Sequence, residues 1–210
     1  GVGSDPLRLR GDAGQAPGAG GGTCAAWGAR RCPRRGGQRL QETVRRSASF
    51  DTLTGRTNRQ LLGTTLGHAR GLWQRSHTPF AVLFLDLDGF KLINDSLGHQ
   101  MGDRVLKAVG AGIMGELRAV DTGARFGGDE FVILLAETDP DGALVAAQRV
   151  QAALAEVHDF DGHQIVTRAS IGIATSAIEY TSAEDVLHDA DTAQYSAKSA
   201  ETGTLAVFAP

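Results

Sequence analysis

Cysteine and long apolar runs are scarce in this chain, which argues against a disulfide scaffold and against a membrane protein. Only two of its 210 residues are cysteines, Cys24 and Cys32, and neither has the partner pair that a zinc site needs. The longest apolar run, 80–85, is far shorter than the roughly 18 residues of a membrane-spanning helix. No signal-peptide pattern follows Gly1, the first residue. We therefore expect a soluble, cytoplasmic chain with two incidental thiols, cut or processed from a larger multidomain or membrane-associated protein.

Sequence signatures of several enzyme classes are absent as well. The six histidines form no HExxH pair, and no Walker A sequence occurs. One G-x-G-x-x-G match spans 110–115, but a dinucleotide-binding loop follows a strand and opens a helix. This match instead lies inside a helical stripe of apolar residues spaced four apart: Val105, Val109, Ile113 and Leu117. The sequence therefore argues against a zinc protease, a P-loop enzyme and a Rossmann fold.

Charge and glycine are distributed unevenly along the chain. Residues 1–50 carry nine arginines against three acids, a balance of +6, whereas residues 51–210 carry −9. The first segment also holds 11 of the 28 glycines and three of the six prolines. We interpret 1–37 as a flexible, disordered tail or linker, 38–50 as a short linker helix, and 51–210 as one domain of ordinary size. The tail arginines could neutralise phosphates of nucleic acid or lipid. Without interleaved aromatic residues, however, a solvated basic tail is favoured, and we expect no nucleic-acid partner.

The apolar patterning of the predicted domain indicates alternating helices and strands. Residues 80–88 are apolar on both faces until they reach two acids, which is typical of a buried central strand that ends at a sheet edge. The dipeptide Gly127-Gly128 between apolar runs predicts a tight hairpin turn. The predicted helices are 58–73, 102–117, 141–157 and 183–198, and the predicted strands are 80–88, two within 125–136, 164–175 and 204–208. This order predicts an α/β (α+β) fold in which helices flank a central mixed five-stranded sheet.

Four acids follow the predicted strands, in two pairs. Asp86 and Asp88 come at the end of the central strand, and Asp129 and Glu130 come directly after the double glycine. Taken singly, most acids at strand ends are solvated turn residues. Gathered at one sheet edge they would repel each other unless cations neutralised them, and hard oxygen ligands favour Mg²⁺. The two pairs therefore predict a magnesium site for phosphoryl or nucleotidyl chemistry.

Several segments resemble one known family. Residues 125–131 contain the Gly-Gly-Asp-Glu-Phe pentapeptide that names the GGDEF domains of diguanylate cyclases, and residues 84–103 resemble the family's second long motif. Asp51-Thr-Leu-Thr-Gly55 resembles its opening turn, and 170–172 with 190–198 resemble its later strand and final helix. The similarity covers nearly the whole predicted domain in the right order, so it is far more specific than a lone pentapeptide.

The resemblance implies a palm-like, ferredoxin-like domain that condenses two GTP molecules into cyclic di-GMP with release of pyrophosphate. It also implies Mg²⁺ as the cofactor, with Mn²⁺ as a substitute, and a homodimer in which each domain holds one GTP. A sensor domain upstream and a phosphodiesterase domain downstream are the partners we expect outside this chain. The alternative is a catalytically weak GGDEF module that binds GTP or cyclic di-GMP and regulates an attached partner such as a phosphodiesterase domain.

The resemblance also assigns the metal ligands and the catalytic acids. Asp86, Asp129 and the Leu87 carbonyl fall on the family's metal ligands, and Glu130 is a supporting acid. Asp129 is the candidate general base as well, although a metal-activated ribose hydroxyl would suffice without it. Asp129 and Glu130 are therefore the expected catalytic pair.

The expected substrate contacts lie in the same motifs. Asn94 and Asp103 correspond to the guanine readers, since an amide beside an acid would reject adenine by leaving its groups unpaired. Helix capping is the alternative for both. Lys91 and Lys198 match phosphate-contacting lysines, with solvated surface lysines as the alternative. Close approach of backbone to phosphate is expected at four positions: Gly89, Phe90, Gly127 and Gly128.

Two further features concern regulation and a departure from the family. Arg118 and Asp121 fit the family's inhibitory RxxD site, where product binds away from the catalytic centre, and an exposed arginine with a turn acid is the alternative. After Lys198 the family continues with two residues and then Gly-Arg-Asn, but Thr202 stands here where the arginine is expected, and Glu201 adds a negative charge. We expect the loss of this cation to raise the GTP requirement or to reduce the rate.

Overall fold

A computed structural model describes residues 49–200 and 202–209 of the chain. The predicted tail over 1–37 lies outside this part, as does the predicted linker helix over 38–50 except for its last two residues. Within the described residues, no helix combines the length and the apolar character that crossing a bilayer requires.

Helices and strands are interspersed along the described residues, and side-chain caps mark where three of the helices begin. The side chain of Asn58 accepts a hydrogen bond from the Leu61 amide at 3.0 Å, and that of Asp139 accepts one from the Gly142 amide at 2.8 Å. Before the last helix, the Ser182 hydroxyl accepts a hydrogen bond from the Asp185 amide at 3.1 Å. The elements in chain order are α1 (Arg59–Ser76), β1 (Phe80–Leu87), α2 (Phe90–Leu97), α3 (His99–Gly115), β2 (Thr122–Arg125), β3 (Glu130–Ala136), α4 (Pro140–Leu154), β4 (Val157–Phe160), β5 (His163–Val166), β6 (Ala169–Thr175), α5 (Ala183–Ala200) and β7 (Leu205–Val207).

The five-stranded mixed sheet predicted from the sequence is confirmed. Its strands lie in the order β2-β3-β1-β6-β7, and all neighbouring pairs are antiparallel except β6 and β7, which are parallel. β1 lies at the centre, and its residues are buried except for the half-buried Asp86 near its end. The buried strand that ends in acids is therefore the middle of the sheet.

Side chains of β1 alternate between two hydrophobic layers. Leu83 and Leu85 belong to the layer that α3 and α4 cover, whereas Val82 and Phe84 belong to the layer that α1 and α5 cover. Because successive residues of a strand point to opposite faces, Asp86 follows Phe84 on the side of α1 and α5. The alternation of side chains that builds the core therefore also places Asp86 on the side of the sheet that α1 and α5 cover.

The helix predicted over 102–117 is present as α3, although it begins earlier, at His99, and a further helix, α2, precedes it that was not predicted. The strand-to-helix turn before α2 has Gly89 at φ 72°, and α2 and α3 are separated by Gly98 at φ 82°. An L side chain would be strained at either position, so each glycine lets the chain change direction. The sequence pattern missed α2 because a helix of eight residues is too short to show a clear apolar stripe.

The hairpin predicted around Gly127-Gly128 is present as β2 and β3, but its turn differs from the prediction, and a second hairpin was not predicted. Gly127-Gly128 is not a tight turn, because residues 126–129 join β2 to β3 and neither glycine has a positive φ. The single strand predicted over 164–175 is also wrong, since β4 and β5 form a separate hairpin before β6. That hairpin turns at Asp161-Gly162, with φ of 57° and 88°, a dipeptide that strongly favours tight hairpins. The preceding helix accordingly ends at Leu154 rather than at 157.

α5 packs against β6 at a glycine. A Cβ built on Gly172 would lie 2.0 Å from the Ala190 carbonyl oxygen and 2.2 Å from the Gln194 amide nitrogen. Both are backbone atoms of α5, so they cannot rotate away as a side chain would. Gly172 therefore sets how closely α5 approaches the sheet, and α5 is the helix that carries Lys198.

Replacing Gly172 with alanine should lower the free energy of unfolding by at least about 2 kcal/mol, because α5 must lift away from β6 to admit the methyl group. Gly67→Ala is the matched control. Gly67 is an exposed helical glycine in α1 with open space around it, so alanine there should leave stability unchanged or raise it by up to about 1 kcal/mol. Urea unfolding followed by circular dichroism measures both variants. Equal stability of the two would contradict the packing role of Gly172.

Candidate functional site

The two acidic segments meet at the end of β1. Asp86 is paired with Glu130 across β1 and β3, and the Leu87 amide donates to the Asp129 carbonyl oxygen at 3.3 Å. The loop that carries Asp129 is therefore tied to the strand that carries Asp86. Acids from segments far apart in sequence lie together at one edge of the sheet.

Arg125 holds in place the loop over 126–129 that joins β2 to β3, the hairpin loop. Its guanidinium donates twice to the Gly128 carbonyl oxygen, at 2.7 and 3.1 Å, and reaches the Asp51 carboxylate at 3.3 and 3.4 Å. Asp51 in turn accepts hydrogen bonds from the Thr54 amide at 2.8 Å and hydroxyl at 2.7 Å. The turn over 51–55 is thus a support for the hairpin loop. Sequence reasoning gave neither Arg125 nor Asp51 a role in the site.

Phe126 anchors the other side of the same loop. The guanidinium carbon of Arg59 lies 4.4 Å from the centre of the Phe126 ring, a cation–π distance. The Phe126 ring also packs edge-on against Phe84 of β1, with ring centres 5.3 Å apart. The loop is therefore fixed to the core by a ring and to the opening turn by an ion pair.

The clustered acids disfavour each other's ionised form. Burial raises the pKa of Asp129 above its ordinary value, and the negative charge of Asp86 raises it further. Burial likewise raises the pKa of Glu130, with further contributions from the charges of Asp86, Asp191 and Asp129. A cation placed among these carboxylates would relieve their repulsion. The electrostatics of this edge therefore favour binding of positive charge.

Lys198 supplies one such charge. Its ammonium forms a hydrogen-bonded ion pair with the Asp86 carboxylate, and the two side chains are 43% and 19% exposed. Burial lowers the pKa of Lys198, but the hydrogen bond to Asp86 and the charges of Asp86, Asp88 and Asp129 outweigh it, so that the pKa lies above its usual value. Lys198 therefore stays charged at neutral pH and is not merely a solvated surface lysine.

Asp88, the second acid after the strand, ties neighbouring segments together. Its carboxylate accepts hydrogen bonds from the Ser170 hydroxyl at 2.9 and 3.1 Å and from the Gly203 amide at 2.7 Å. These bonds join the end of β1 to β6 and to the turn before β7. Asp88 is therefore engaged in holding the strands, whereas Asp86 meets Lys198.

A cleft of about 600 Å³ opens beside Asp129, a size that suits one small-molecule ligand. Asp95, His99 and Arg125 belong to its wall, although sequence reasoning did not select them. Residues predicted for the site that line the cleft are Phe90, Lys91, Asn94, Asp103, Gly128 and Asp129. The other predicted residues lie outside this lining, on the adjoining strand end, loops and α5: Asp86, Leu87, Gly89, Gly127, Glu130 and Lys198.

Asn94 rests on a glycine that sequence reasoning did not single out. A Cβ on Gly102 would lie 2.0 Å from Asn94 Oδ1 and 3.2 Å from the Phe90 ring, so only glycine leaves room for the amide. Helix capping does not explain Asn94 or Asp103, because α2 and α3 begin at Gly89 and Gly98 without a side-chain cap. In the sequence, the feature that marks Gly102 is that it lies inside a helix and directly precedes Asp103.

The two glycines of the hairpin loop have different surroundings. A Cβ on Gly127 would lie 2.4 Å from Oε2 of Glu130, whereas one on Gly128 would meet nothing within 4 Å. Gly127 thus lets the Glu130 carboxylate lie close to the loop. Gly128 is exposed and lines the cleft, so its bare backbone faces any ligand that enters.

Arg118 and Asp121 line a second cleft, of about 420 Å³, which shares no lining residue with the first. Arg118 donates to the Asp121 carboxylate at 2.9 and 3.1 Å, and also to the Ala136 carbonyl at 2.7 Å and the Thr138 hydroxyl at 2.6 Å. The Asp121 side chain is 2% exposed and that of Arg118 is 52% exposed. The two residues are therefore a fixed ion pair with an accessible guanidinium, not unrelated surface groups.

The donor set at the end of β1 suits a hard cation that keeps other ligands. Within the part of the chain that the structure describes, no three His, Cys, Asp or Glu side chains are grouped as a metal site made of side chains alone would need. Asp86 and Asp129 offer two mutually repelling carboxylates, and Leu87 adds a backbone carbonyl. Mg²⁺ is usually bound by one or two carboxylates and completes its shell with water and substrate phosphates. The residues present fit that pattern and do not fit a zinc site.

Comparison with known proteins confirms the resemblance seen in the motifs. A family model described as diguanylate cyclase, GGDEF domain, matches residues 48–204. The bifunctional diguanylate cyclase/cyclic di-GMP phosphodiesterase MucR of Pseudomonas aeruginosa is 40% identical over 151 residues, which cover 72% of this chain and 22% of MucR. The cyclic di-GMP phosphodiesterase PdeR of Escherichia coli is 34% identical over 173 residues, which cover 82% of this chain and 26% of PdeR. The chain thus spans about a quarter of the length of these curated relatives.

A solved structure has the same fold. The isolated GGDEF domain of TpbB (YfiN) from Pseudomonas aeruginosa matches with a TM-score of 0.74 at 37% identity. The match covers 76% of this chain and 94% of that one. Both the five-stranded sheet and the flanking helices are therefore shared with a domain of known structure.

The ion pair under the hairpin loop predicts a pH dependence of stability. Burial raises the pKa of Asp51, but hydrogen bonds from Thr54 and the charge of Arg125 outweigh it, so the pKa lies below its ordinary value. A carboxyl whose pKa is lower in the folded state stabilises the fold above its unfolded pKa of about 4, and that contribution disappears as the pH falls through the folded value. The difference in unfolding free energy between the parent and Asp51→Asn should therefore be constant from pH 7 to 5 and shrink below about pH 4. Urea unfolding across this range measures it, and a difference that stays constant down to pH 2.5 would contradict the assignment.

Proposed function

The chain belongs to the GGDEF family of diguanylate cyclase domains, and we propose that it joins two molecules of GTP into cyclic di-GMP with release of pyrophosphate. The observation that carries this proposal is the meeting of the Asp86 and Asp129 segments at the end of β1, beside a cleft lined by Asn94 and Asp103. Paired carboxylates suit the cation that accompanies a triphosphate, and an amide near an acid suits a purine that has both donors and acceptors.

Asp86, Asp129 and the Leu87 carbonyl would hold a divalent cation, Mg²⁺ with Mn²⁺ as a substitute. When bound, such a cation polarises the α-phosphate and offsets the charge that develops during transfer. The raised pKa of Asp129 supports this role. Burial and the charge of Asp86 disfavour its ionised form, and a bound cation would offset both effects. Glu130, paired with Asp86 across the strands, acts as the supporting acid.

Guanine would be recognised by Asn94 and Asp103. The Asp103 carboxylate accepts hydrogen bonds from guanine N1 and N2, and the Asn94 amide donates to O6. Adenine would leave these groups unpaired, which costs binding energy in a partly buried site. Packing of Asn94 on Gly102 supports this role, since it holds the amide in one position.

The triphosphate would lie over the loop that follows β1. Gly89 is the N-cap of α2 and Phe90 is its first residue, and a helix N-terminus favours an anion. Lys91 lines the cleft and Lys198 lies at Asp86, so each adds positive charge. Gly128 lets the hairpin backbone come close to the phosphates, since nothing within 4 Å occupies the space of its missing side chain.

The bond-forming step requires two domains. The ribose 3′-oxygen of one GTP attacks the α-phosphorus of the other, and the bond to the bridging oxygen breaks as pyrophosphate leaves with the electron pair. The hydroxyl proton goes to Asp129 or to water, and the same step in the opposite sense closes the ring. Because the cleft beside Asp129 suits one nucleotide, two domains must meet head to tail as a homodimer.

A second candidate function is a regulatory module that binds GTP or cyclic di-GMP and controls an attached phosphodiesterase domain. Two observations favour it: Thr202 stands where the resemblance leads us to expect an arginine, and PdeR, a relative of this chain, is named a phosphodiesterase. Turnover of GTP separates the two candidates, since a binding module forms no product.

Inhibition by product would occur at Arg118 and Asp121. Asp121 fixes the Arg118 guanidinium through two hydrogen bonds and leaves it about half exposed. A fixed planar guanidinium stacks on a purine and pairs with its acceptor atoms, which suits cyclic di-GMP. The separate cleft beside the pair supports a site distinct from that of the substrate.

Incubation with GTP and Mg²⁺ should yield cyclic di-GMP, measured by nucleotide chromatography. Asp129→Ala should reduce the rate at least about 100-fold, because it removes a carboxylate that holds the cation. Asp141→Ala, which removes an exposed acid from the first turn of α4, should leave the rate unchanged. Full activity of Asp129→Ala would refute the site, and GTP binding without product in the parent would favour the regulatory module.

Arg118→Ala should relieve product inhibition while leaving the initial rate without added product unchanged. The reason is that Arg118 contributes to the second cleft and not to the first. Initial rates measured against increasing cyclic di-GMP test this, and the unchanged initial rate serves as the control for folding. An unaltered inhibition curve would contradict the role of Arg118.

A further inference from the structure

We propose that Arg168 contacts the GTP phosphates and supplies the positive charge that the chain lacks at Thr202. The inference rests on the proposed function, because it assigns a further phosphate-binding residue to the same site.

Arg168 lies at the edge of the sheet that carries the acids. β1 and β6 pair Asp86 with Ser170, and two residues further along the Asp88 amide donates to the Arg168 carbonyl oxygen at 2.9 Å. Side chains two apart on an extended chain share a face, so Arg168 lies on the face of Ser170. The Ser170 hydroxyl donates to the Asp88 carboxylate, which identifies this face as that of the acids.

The aliphatic part of Arg168 runs along the turn that follows α5. A Cβ on Gly203 would lie 3.4 Å from Cδ of Arg168 and 3.6 Å from its Cβ. The Gly203 amide donates to Asp88 at 2.7 Å, and the exposed Thr202 directly precedes it. Arg168 therefore passes beside the turn in which the expected arginine is missing.

Arg168 is exposed, and its guanidinium has no hydrogen-bond or ion-pair partner among residues 49–200 and 202–209. Two other arginines near the site are already engaged. Arg125 is held by Asp51 and the Gly128 carbonyl, and Arg59 lies on the Phe126 ring. Arg168 is therefore an arginine at this edge whose donors are open to a ligand.

The charge balance of the edge favours such a contact. A triphosphate would enter beside Asp86, Asp88 and Asp129, and the ammonium of Lys198 is already paired with Asp86. A guanidinium binds two phosphate oxygens through parallel hydrogen bonds, which a lysine cannot do. The positive charge of Arg168 would thus offset the repulsion between the triphosphate and the acids. Thr202, on the same side of the sheet, is uncharged and cannot do so.

The test is nucleotide affinity, measured by isothermal titration calorimetry on the full 210-residue chain with Mg²⁺. The probes are guanosine 5′-(α,β-methylene)triphosphate, whose α–β bridge is not cleaved, and GMP. Arg168→Ala should weaken binding of the triphosphate analogue about fivefold to tenfold and leave GMP affinity unchanged, with Arg168→Lys in between. Arg75→Ala is the matched control, because Arg75 is an exposed arginine in the last turn of α1, before the opposite end of β1.

A second variant tests whether the two positions serve the same phosphates. Thr202→Arg, added to Arg168→Ala, should restore most of the affinity for the analogue. Failure to restore it would refute the idea that Arg168 supplies the charge that is missing at position 202. Equal losses for both nucleotides, or no loss for either, would overturn the proposal while the proposed function stands. A parent chain that binds neither nucleotide would refute both.

Discussion

Repulsion between the carboxylates at the end of β1 is the constraint on which the rest of the site depends. Asp86 and Asp129 come from a strand and a loop that a backbone hydrogen bond joins, and the charge of the first raises the pKa of the second. A cation that approaches such an arrangement offsets this repulsion. Lys198 meets Asp86 directly, and Arg125 pins the loop that carries Asp129. The domain therefore partly neutralises its own acids and leaves the remainder to a ligand.

Strand parity made the acidic edge predictable from the sequence. Residues 80–88 alternate between two apolar layers, so the face on which Asp86 emerges follows from counting alone. The long motif over 84–103 likewise predicted four residues of the cleft lining, because strand end, turn, α2 and the start of α3 are consecutive in the chain: Phe90, Lys91, Asn94 and Asp103. What the sequence could predict was thus local, set by period and by contiguous motifs.

The supports of the site were not predictable in this way. Arg125 and Asp51 are 74 residues apart, and only the completed fold brings them together. Glycine misled the prediction of turns for a similar reason. A glycine in the sequence permits a positive φ or a close approach, but the sequence does not say which of the two the fold uses. In the loop over 126–129 glycine provides room, in Gly102 it admits the Asn94 amide, and the tight hairpin turn is made instead at Asp161-Gly162.

The packing of the core and the charge of the site are linked through α5. Gly172 lies opposite Phe84, and its missing side chain is what allows the backbone of Gln194 to approach the sheet. Lys198 follows Gln194 by four residues, about one helical turn, so it leaves α5 on the same side. Asp86 likewise follows Phe84 by two residues on one face of β1. The close contact of α5 with the sheet at Gly172 therefore brings Lys198, one turn later in α5, near Asp86, two residues later in β1. A larger residue at 172 would separate this pair by raising the helix, even in a domain that remained folded.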